Sequence, residues 1–245
     1  MDICRWLFAY GFVYAFFQVM VAFIPGHFAG PVSRADAFDF LTPLFVIPVA
    51  LAAFLKLRRA AAAEGRSFSR SSNWSVAVLV LGLICYVEGH GLHLSANAID
   101  RLLVGLENTP LHRSVFIYDE VISHLVWDSG VLITAAGLIL AGIQVNLPRL
   151  SWAQRGFLAA GSVFFGFSFA ANAIEGQTLV LTIPAAVLMT LISFWVYRRG
   201  RLRHRAHNAA ALFFLMGFLL SALLFAYWGI THPGFPEFSE LGWIK

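Results

Sequence analysis

The sequence predicts an all-α, polytopic membrane protein whose seven transmembrane helices form one domain over residues 1–245. The chain is 59% hydrophobic and only 12% charged, whereas the apolar share of a soluble domain is roughly 45–50%. Its apolar residues fall into seven runs of about 20 residues, the length that crosses a bilayer as a helix. No linker, low-complexity tract or second domain interrupts this pattern.

Each apolar run is long enough to span the hydrocarbon core of a membrane. In chain order, the runs cover Cys4–Ile24, Phe38–Leu57, Trp74–Ile99, Val115–Ile143, Gly156–Ile174, Thr178–Tyr197 and Asn208–Ile230. The first run is longer than the core of a cleaved signal peptide, which has about 7–15 residues, so we interpret it as a membrane span. The tryptophans fall mostly near the ends of the runs, as interfacial anchors do.

The loops on the two sides of the predicted bundle differ in charge. Basic residues concentrate in the loops after the second, fourth and sixth runs, at Lys56, Arg58, Arg59, Arg66, Arg70, Arg149, Arg155, Arg198, Arg199, Arg201, Arg203 and Arg205. Because cytoplasmic loops carry such an excess, the amino terminus is predicted to be cytoplasmic and the carboxyl terminus outside. The same loops account for the net charge of +4, so a nucleic-acid partner is not predicted.

Two loops on the opposite side carry specific expectations. The loop from Pro25 to Ala37 contains two prolines and two glycines and is predicted to form an irregular cap. In the connection between the third and fourth runs, the apolar residues from Leu102 to Leu106 favour a short amphipathic helix at the membrane interface.

Ionisable residues interrupt two neighbouring spans at similar depth. Glu88, His90 and His93 lie in the third run, although each buried charge costs a few kcal/mol at membrane depth. The fourth run has Asp119, Glu120, His124 and Asp128 and returns in the opposite direction. At the rise of an α-helix, His93 lies roughly 9 Å from the end of its run and His124 roughly 14 Å, which predicts that His90 and His93 face His124.

Imidazoles and carboxylates that converge from neighbouring helices are typical ligands of zinc and non-haem iron. The predicted metal ligands are His90, His93, His124, Glu120, Asp128 and Glu175, the last at the end of the fifth run. Glu120, Asp119 and Glu88 are the candidate catalytic groups, because a carboxylate can act as a general base on metal-bound water. Zinc is the predicted metal, and iron is the alternative. A hydrogen-bonded polar network without a metal would use the same residues.

The pattern resembles the superfamily of alkaline ceramidases and adiponectin receptors, which are seven-span membrane hydrolases. The segment Gly89–His93 stands where that family has a Ser-x-x-x-His motif, and Asp119 with Glu120 is similar to the Asp-Glu pair of the ceramidases. The resemblance implies a zinc ion held between helices by three histidines, with an aspartate bonded to its water. This chain has glycine at position 89 and lacks paired histidines in the seventh span, while His124 supplies an extra histidine in the fourth.

These observations favour a membrane-embedded, metal-dependent enzyme, specifically a zinc hydrolase that cleaves an amide or ester of a lipid-like substrate from the bilayer, near the outer face. Three alternatives remain open. Facing Glu and His residues suit a di-iron lipid desaturase or hydroxylase. Intramembrane acids and histidines also suit a proton or metal transporter. The fourth hypothesis is a haem protein with His93 and His124 as axial ligands. The oligomeric state is left open.

Overall fold

A computed structural model describes residues 2–63, 70–143, 145, 147, 149–204 and 207–243. Seven helical spans among these residues are long and apolar enough to cross a membrane, and each overlaps one of the predicted runs. The prediction of an all-α, seven-helix membrane protein is therefore confirmed. Arg66 and Arg205, two of the basic residues on which the predicted orientation depends, lie outside the described residues.

Nine α-helices occur in the described ranges. They are α1 (Ile3–Met20), α2 (Arg34–Asp39), α3 (Thr42–Ala63), α4 (Arg70–Asp100), α5 (Pro110–Phe116), α6 (His124–Gly142), α7 (Trp152–Glu175), α8 (Leu179–His204) and α9 (Ala209–Thr231). A 3-10 turn, Val21–Phe23, extends α1, and a π-helical segment, Ile117–Ser123, joins α5 to α6. Strands β1 (His27–Ala29) and β2 (Val32–Ser33) form an antiparallel hairpin between α1 and α2.

Two loops differ from their predicted structure. The loop after α1 is ordered by the β hairpin and by a capping box, in which Ser33 and Asp36 exchange side-chain to backbone hydrogen bonds of 2.9 and 3.0 Å. The predicted interfacial helix over Leu102–Leu106 is wrong, because this stretch forms successive turns. Gly105 has a φ of +87°, which a helix does not allow, and α5 begins later, where Thr109 caps it.

An ion pair ties α2 to the end of α4. The guanidinium of Arg101 donates hydrogen bonds to both carboxylate oxygens of Asp36, and these bonds raise the pKa of Arg101. Arg101 also donates to the Pro31 carbonyl oxygen over 3.1 Å. As a result, the junction between α2 and α3 is held beside the same half of α4 that carries the histidines.

Helix α7 lies between α1 and α9 in the packing of the long helices. Helix α1 packs against α3 and α7, α9 packs against α7 and α8, and α4 packs along α6. Phenylalanines fill the space between α7 and α9, where Phe165 lies 5.3 Å from both Phe214 and Phe218, measured between ring centroids. Large aromatic surfaces in close contact supply the packing attraction that helices need in lipid, where the hydrophobic effect between helices is weak.

Glycines bring the backbones of α4 and α6 into direct contact. A Cβ atom on Gly89 would lie 2.6 Å from the Ser123 carbonyl oxygen and 2.7 Å from the Trp127 Cα. From the other side, a Cβ atom on Gly130 would lie 2.7 Å from the Tyr86 Cα. Such distances are shorter than any real Cβ contact, so the observed helix separation requires glycine at both positions. Small residues at the contact are typical of packed transmembrane helices.

We expect Gly89→Ala to lower the stability of the protein, whereas Gly91→Ala leaves it unchanged or slightly raised. The first substitution forces α4 and α6 apart, and overpacking of this kind costs about 1–3 kcal/mol. The second adds the same methyl group to the same helix at a position where, apart from the backbone of α4 itself, no atom of the described residues would lie within 4 Å of it. Thermal unfolding in detergent measures both variants, and equal midpoints would contradict the proposed close contact.

Candidate functional site

Trp127 of α6 is the centre of an aromatic cluster at the predicted site. Its ring centroid lies 4.6 Å from that of His90, 5.9 Å from that of His93 and 6.0 Å from that of His124. Tyr86, one turn before His90 on α4, lies 6.1 Å away. Trp127 is only 2% exposed, so the three histidines are arranged around a buried ring and their positions follow from the packing of α4 against α6.

His93 and His124 face each other across this contact. Their ring centroids are 4.7 Å apart, which agrees with the depths predicted from the two runs. The Nδ1 atom of His93 lies 2.8 Å from a carboxylate oxygen of Asp119. A carboxylate accepts a hydrogen bond from a protonated ring nitrogen, so in the neutral imidazole the proton is on Nδ1 and the lone pair of Nε2 is left for another partner. Asp119 is 5% exposed, so its carboxylate is shielded from solvent.

The π-helical segment determines where the two acidic residues point. Asp119 and Glu120 lie within it, and the hydroxyl of Ser123 donates a hydrogen bond to the carbonyl oxygen of Asp119. The wider π turn buries Asp119 against His93, while the Glu120 side chain remains 42% exposed. Glu120 Oε2 lies 3.8 Å from His124 Nε2, too far for a hydrogen bond. Such segments occur frequently at functional sites.

Gly176, at the end of α7, packs against the face of His124. A Cβ atom on this residue would lie 2.9 Å from Cγ of the imidazole. His124 is 7% exposed, and its Nδ1 atom is buried without a hydrogen-bond partner among the described residues. Sequence reasoning did not identify Gly176, because a glycine at the end of a helix is an ordinary helix-ending signal.

His90 is bonded to a different element. Its Nε2 atom lies 3.0 Å from the backbone carbonyl oxygen of Asp39, at the junction of α2 and α3, and 3.7 Å from a carboxylate oxygen of the same residue. The carboxylate of Asp39 also accepts a bond of 2.6 Å from Thr42. His90 is bonded to Asp39 and has no hydrogen bond with His93, His124 or Asp119. Its predicted role as a metal ligand therefore stays a prediction. Asp39 is a contact that sequence reasoning did not identify.

Asp128 joins α6 to α7 and to the turn that follows it. The side-chain amide of Asn172 donates to its carboxylate over 3.1 Å, and the Thr178 hydroxyl donates a second bond. Asp128 is fully buried, so these donors replace the water that an exposed carboxylate would have. The carboxylate is therefore occupied as a structural link, and its predicted role as a ligand is untested.

Glu175 and Glu88 lie outside the cluster. A carboxylate oxygen of Glu175 accepts hydrogen bonds from the backbone N–H groups of Phe238 and Ser239, at 2.7 and 3.4 Å, and so holds the segment after α9. Glu88 lies about 140° around α4 from His93 and is exposed on the face that also exposes Ile84. The structure does not bring either acid to the paired histidines.

Buried polar atoms without partners concentrate around this site. Four of the ten such side-chain atoms among the described residues belong to Trp127 and to rings around it: Tyr86 Oη, His90 Nδ1, His124 Nδ1 and Trp127 Nε1. Most buried polar atoms in proteins have a partner, so a local group of exceptions needs a specific explanation. A bound ion, water or polar ligand within the cluster would provide the missing partners.

The donor atoms are close together, but they are not arranged around one point. Within the described ranges, no group of three or more His, Cys, Asp and Glu side chains is positioned to hold a metal ion in this conformation. No family model, curated protein or solved structure matches the chain. The resemblance to the seven-span hydrolases therefore stays a prediction. The structure does explain one departure from their motif, because position 89 faces the backbone of α6 and has no space for a serine side chain.

We expect Asp128→Leu to destabilise the protein more than Asp128→Asn. Leucine leaves the Asn172 and Thr178 donors buried without an acceptor, which costs about 1–3 kcal/mol for each unsatisfied group. Asparagine keeps one acceptor oxygen at nearly the same volume. Thermal unfolding of the two variants beside the wild type measures the difference. Equal unfolding midpoints of the leucine and asparagine variants would contradict the structural role of the Asp128 carboxylate.

Proposed function

We propose that the protein is a membrane-embedded, zinc-dependent hydrolase that cleaves an amide or ester bond of a lipid. One observation carries the proposal: His93, bonded to Asp119, faces His124 at 4.7 Å between ring centroids within two transmembrane spans. Two imidazoles and a carboxylate pair at this separation are a suitable donor set for zinc. The Nε2 atom of His124 lies 3.8 Å from Glu120 and has no hydrogen bond with the described residues, so it suits a further partner.

The proposed ligands are His93, His124 and Glu120. Two histidines and one glutamate form a known ligand set of catalytic zinc, in which the fourth position is left for water. His93 would bind through Nε2, because its Nδ1 is bonded to Asp119, and a carboxylate behind a ligating histidine orients the ring. Glu120 would have to turn toward the imidazoles. Its side chain is 42% exposed and already 3.8 Å from His124, so this movement displaces no packed group.

Bound zinc would lower the pKa of a water molecule and polarise the carbonyl group of the substrate. The residues of the chain would position this reaction and move its proton. One oxygen of Asp119 holds His93, and its second oxygen has no hydrogen bond with the described residues. That oxygen would accept the proton of the attacking water, and the same carboxyl group would return it to the leaving amine or alcohol.

The position of the cluster supports a lipid substrate. His93 lies within the span Asn73–Asp100, roughly 10 Å from its end, and its side chain is 21% exposed. A substrate that is dissolved in the bilayer would reach this depth directly. With the basic loops in the cytoplasm, the positive-inside rule gives a cytoplasmic amino terminus, an outer carboxyl terminus and a site near the outer face.

The geometry favours this function over the alternatives. Centroids 4.7 Å apart leave no gap for a porphyrin between His93 and His124. A transport path would have to pass Asp128, which is fully buried and bonded to Asn172, and the part of α6 beyond it is apolar. A di-iron centre remains the second candidate, because Asp119 and Glu120 give the site as many carboxylates as imidazoles.

Elemental analysis of the purified protein tests the metal and its ligands. We expect about one zinc per chain in the wild type, and loss of the zinc in His93→Ala and His124→Ala. Glu88→Gln is the matched control, because it neutralises an acid on the same helix that faces away from the cluster, and it should keep the metal. Two irons per chain would support the di-iron centre. A wild type that binds no metal at any zinc concentration would overturn the proposal.

We expect Asp119→Asn to weaken zinc binding by about 10–100-fold, the usual effect of losing a carboxylate behind a ligating histidine. Competition with a chromogenic chelator measures the affinity, and unchanged affinity would show that Asp119 does not orient a ligand.

Hydrolysis is tested by reconstitution into liposomes that contain amide-linked and ester-linked lipids. Mass spectrometry should detect free fatty acid with the zinc-loaded wild type but not with His93→Ala. If the protein binds zinc but releases no fatty acid from either lipid class, the metal site is supported and the proposed hydrolase function is refuted.

A further inference from the structure

A cavity lies along the face of α7 that carries Ser168, Asn172 and Glu175. Its volume is about 610 Å³, and α1, α7 and α9 form its walls. The segment after α9 covers one end with Phe238 and Trp243, and the hydrogen bonds from this segment to Glu175 hold it there. Cavities of about 300–1,000 Å³ are the usual size for small-molecule sites.

The wall is almost wholly apolar and opens toward the bilayer. Lining residues that are themselves exposed, such as Phe23, Phe167 and Tyr227 at 66%, 50% and 60%, mark the open side. Because these residues belong to predicted spans, the opening faces lipid. Its natural occupant is therefore a hydrocarbon chain that enters from the membrane.

Ser168 places a hydrogen-bonding group in this apolar wall. It is 1% exposed, and its hydroxyl has no hydrogen-bond partner among the described residues. By contrast, the buried hydroxyls of Ser162 and Thr182 donate to the carbonyl four residues earlier, at 2.6 and 3.0 Å. The amide nitrogen of Gln18, which also lines the cavity, is likewise buried without a partner. Both groups are donors that require an acceptor.

We infer that this cavity is a binding site for a membrane lipid with an acyl chain, whose ester or amide carbonyl accepts a hydrogen bond from Ser168. The apolar wall holds the chain, and the carbonyl oxygen is the acceptor that an acyl lipid brings to the donors. Ser168 lies seven residues before Glu175, so the bond forms roughly 10 Å below the covered end. An ether lipid of the same chain length fits the apolar cavity equally well but lacks the carbonyl oxygen that accepts the hydrogen bond.

The site is independent of the proposed hydrolase. Asn172 lines the cavity, and its amide nitrogen is bonded to Asp128, so this side chain lies between the cavity and α6. His93 and His124 are not among the residues that line the cavity. Binding should persist in His93→Ala, so that failure of the zinc site and failure of this site can be distinguished.

The test compares two probes that differ only in the carbonyl group: palmitoyl lysophosphatidylcholine and its hexadecyl ether analogue. Native mass spectrometry of the detergent-solubilised protein gives the affinity of each. We expect the ester to bind about fivefold more tightly than the ether, which corresponds to one hydrogen bond. Ser168→Ala should remove this preference and leave the binding of the ether unchanged.

Ser193→Ala is the matched control, because Ser193 also has a buried, unpartnered hydroxyl but does not line the cavity. It should keep the full preference. Ala171→Trp, which fills the cavity, should abolish the binding of both probes, and Ala22→Phe provides a second filling variant from α1 if the first does not fold. Equal affinities of ester and ether for the wild type, or undiminished binding to both folded filling variants, would overturn the inference.

Discussion

The cluster depends on the distance between the backbones of α4 and α6. In lipid, apolar side chains do not drive helices together as they do in water, so close backbone contact and van der Waals packing have to hold a helix pair. Here Gly89 meets the backbone of Ser123 and Trp127, and Gly130 meets that of Tyr86. These contacts set the separation at which His93 and His124 face each other. A larger residue at either glycine would move both imidazoles apart, even though neither glycine touches them.

Burial of so many ionisable groups requires a local partner for each. Asp119 has His93, Asp128 has Asn172 and Thr178, and His90 has the Asp39 carbonyl group. These bonds offset the desolvation that would otherwise exclude the groups from the membrane. Among the described residues of the cluster, the buried atoms without a hydrogen-bond partner lie around Trp127. They are ring nitrogens of His90, His124 and Trp127 and the hydroxyl of Tyr86. The proposed metal site would account for this incomplete pairing, because a bound ion and its water would provide the missing partners.

Helix α7 contacts two environments of different chemistry. Asn172 bonds to Asp128, and Gly176, at the end of the helix, packs against His124. Ser168, one turn before Asn172 on the same face, lines the apolar cavity, and Glu175 holds the segment that covers it. A single helix therefore supports the polar cluster and bounds the apolar cavity. This arrangement explains why Glu175 is used structurally, although its position at the end of a span resembles that of a ligand.

The seven spans and the depth of the polar residues could be predicted from the amino-acid sequence, because run length and rise per residue are local properties. It therefore predicted that His93 and His124 lie at one level. It did not determine how each helix is rotated about its axis. Lipid is as apolar as the protein interior, so the side of a membrane helix that faces its neighbours leaves only a weak pattern in the sequence. Tertiary packing alone joined His90 to Asp39 and placed Gly176 on His124.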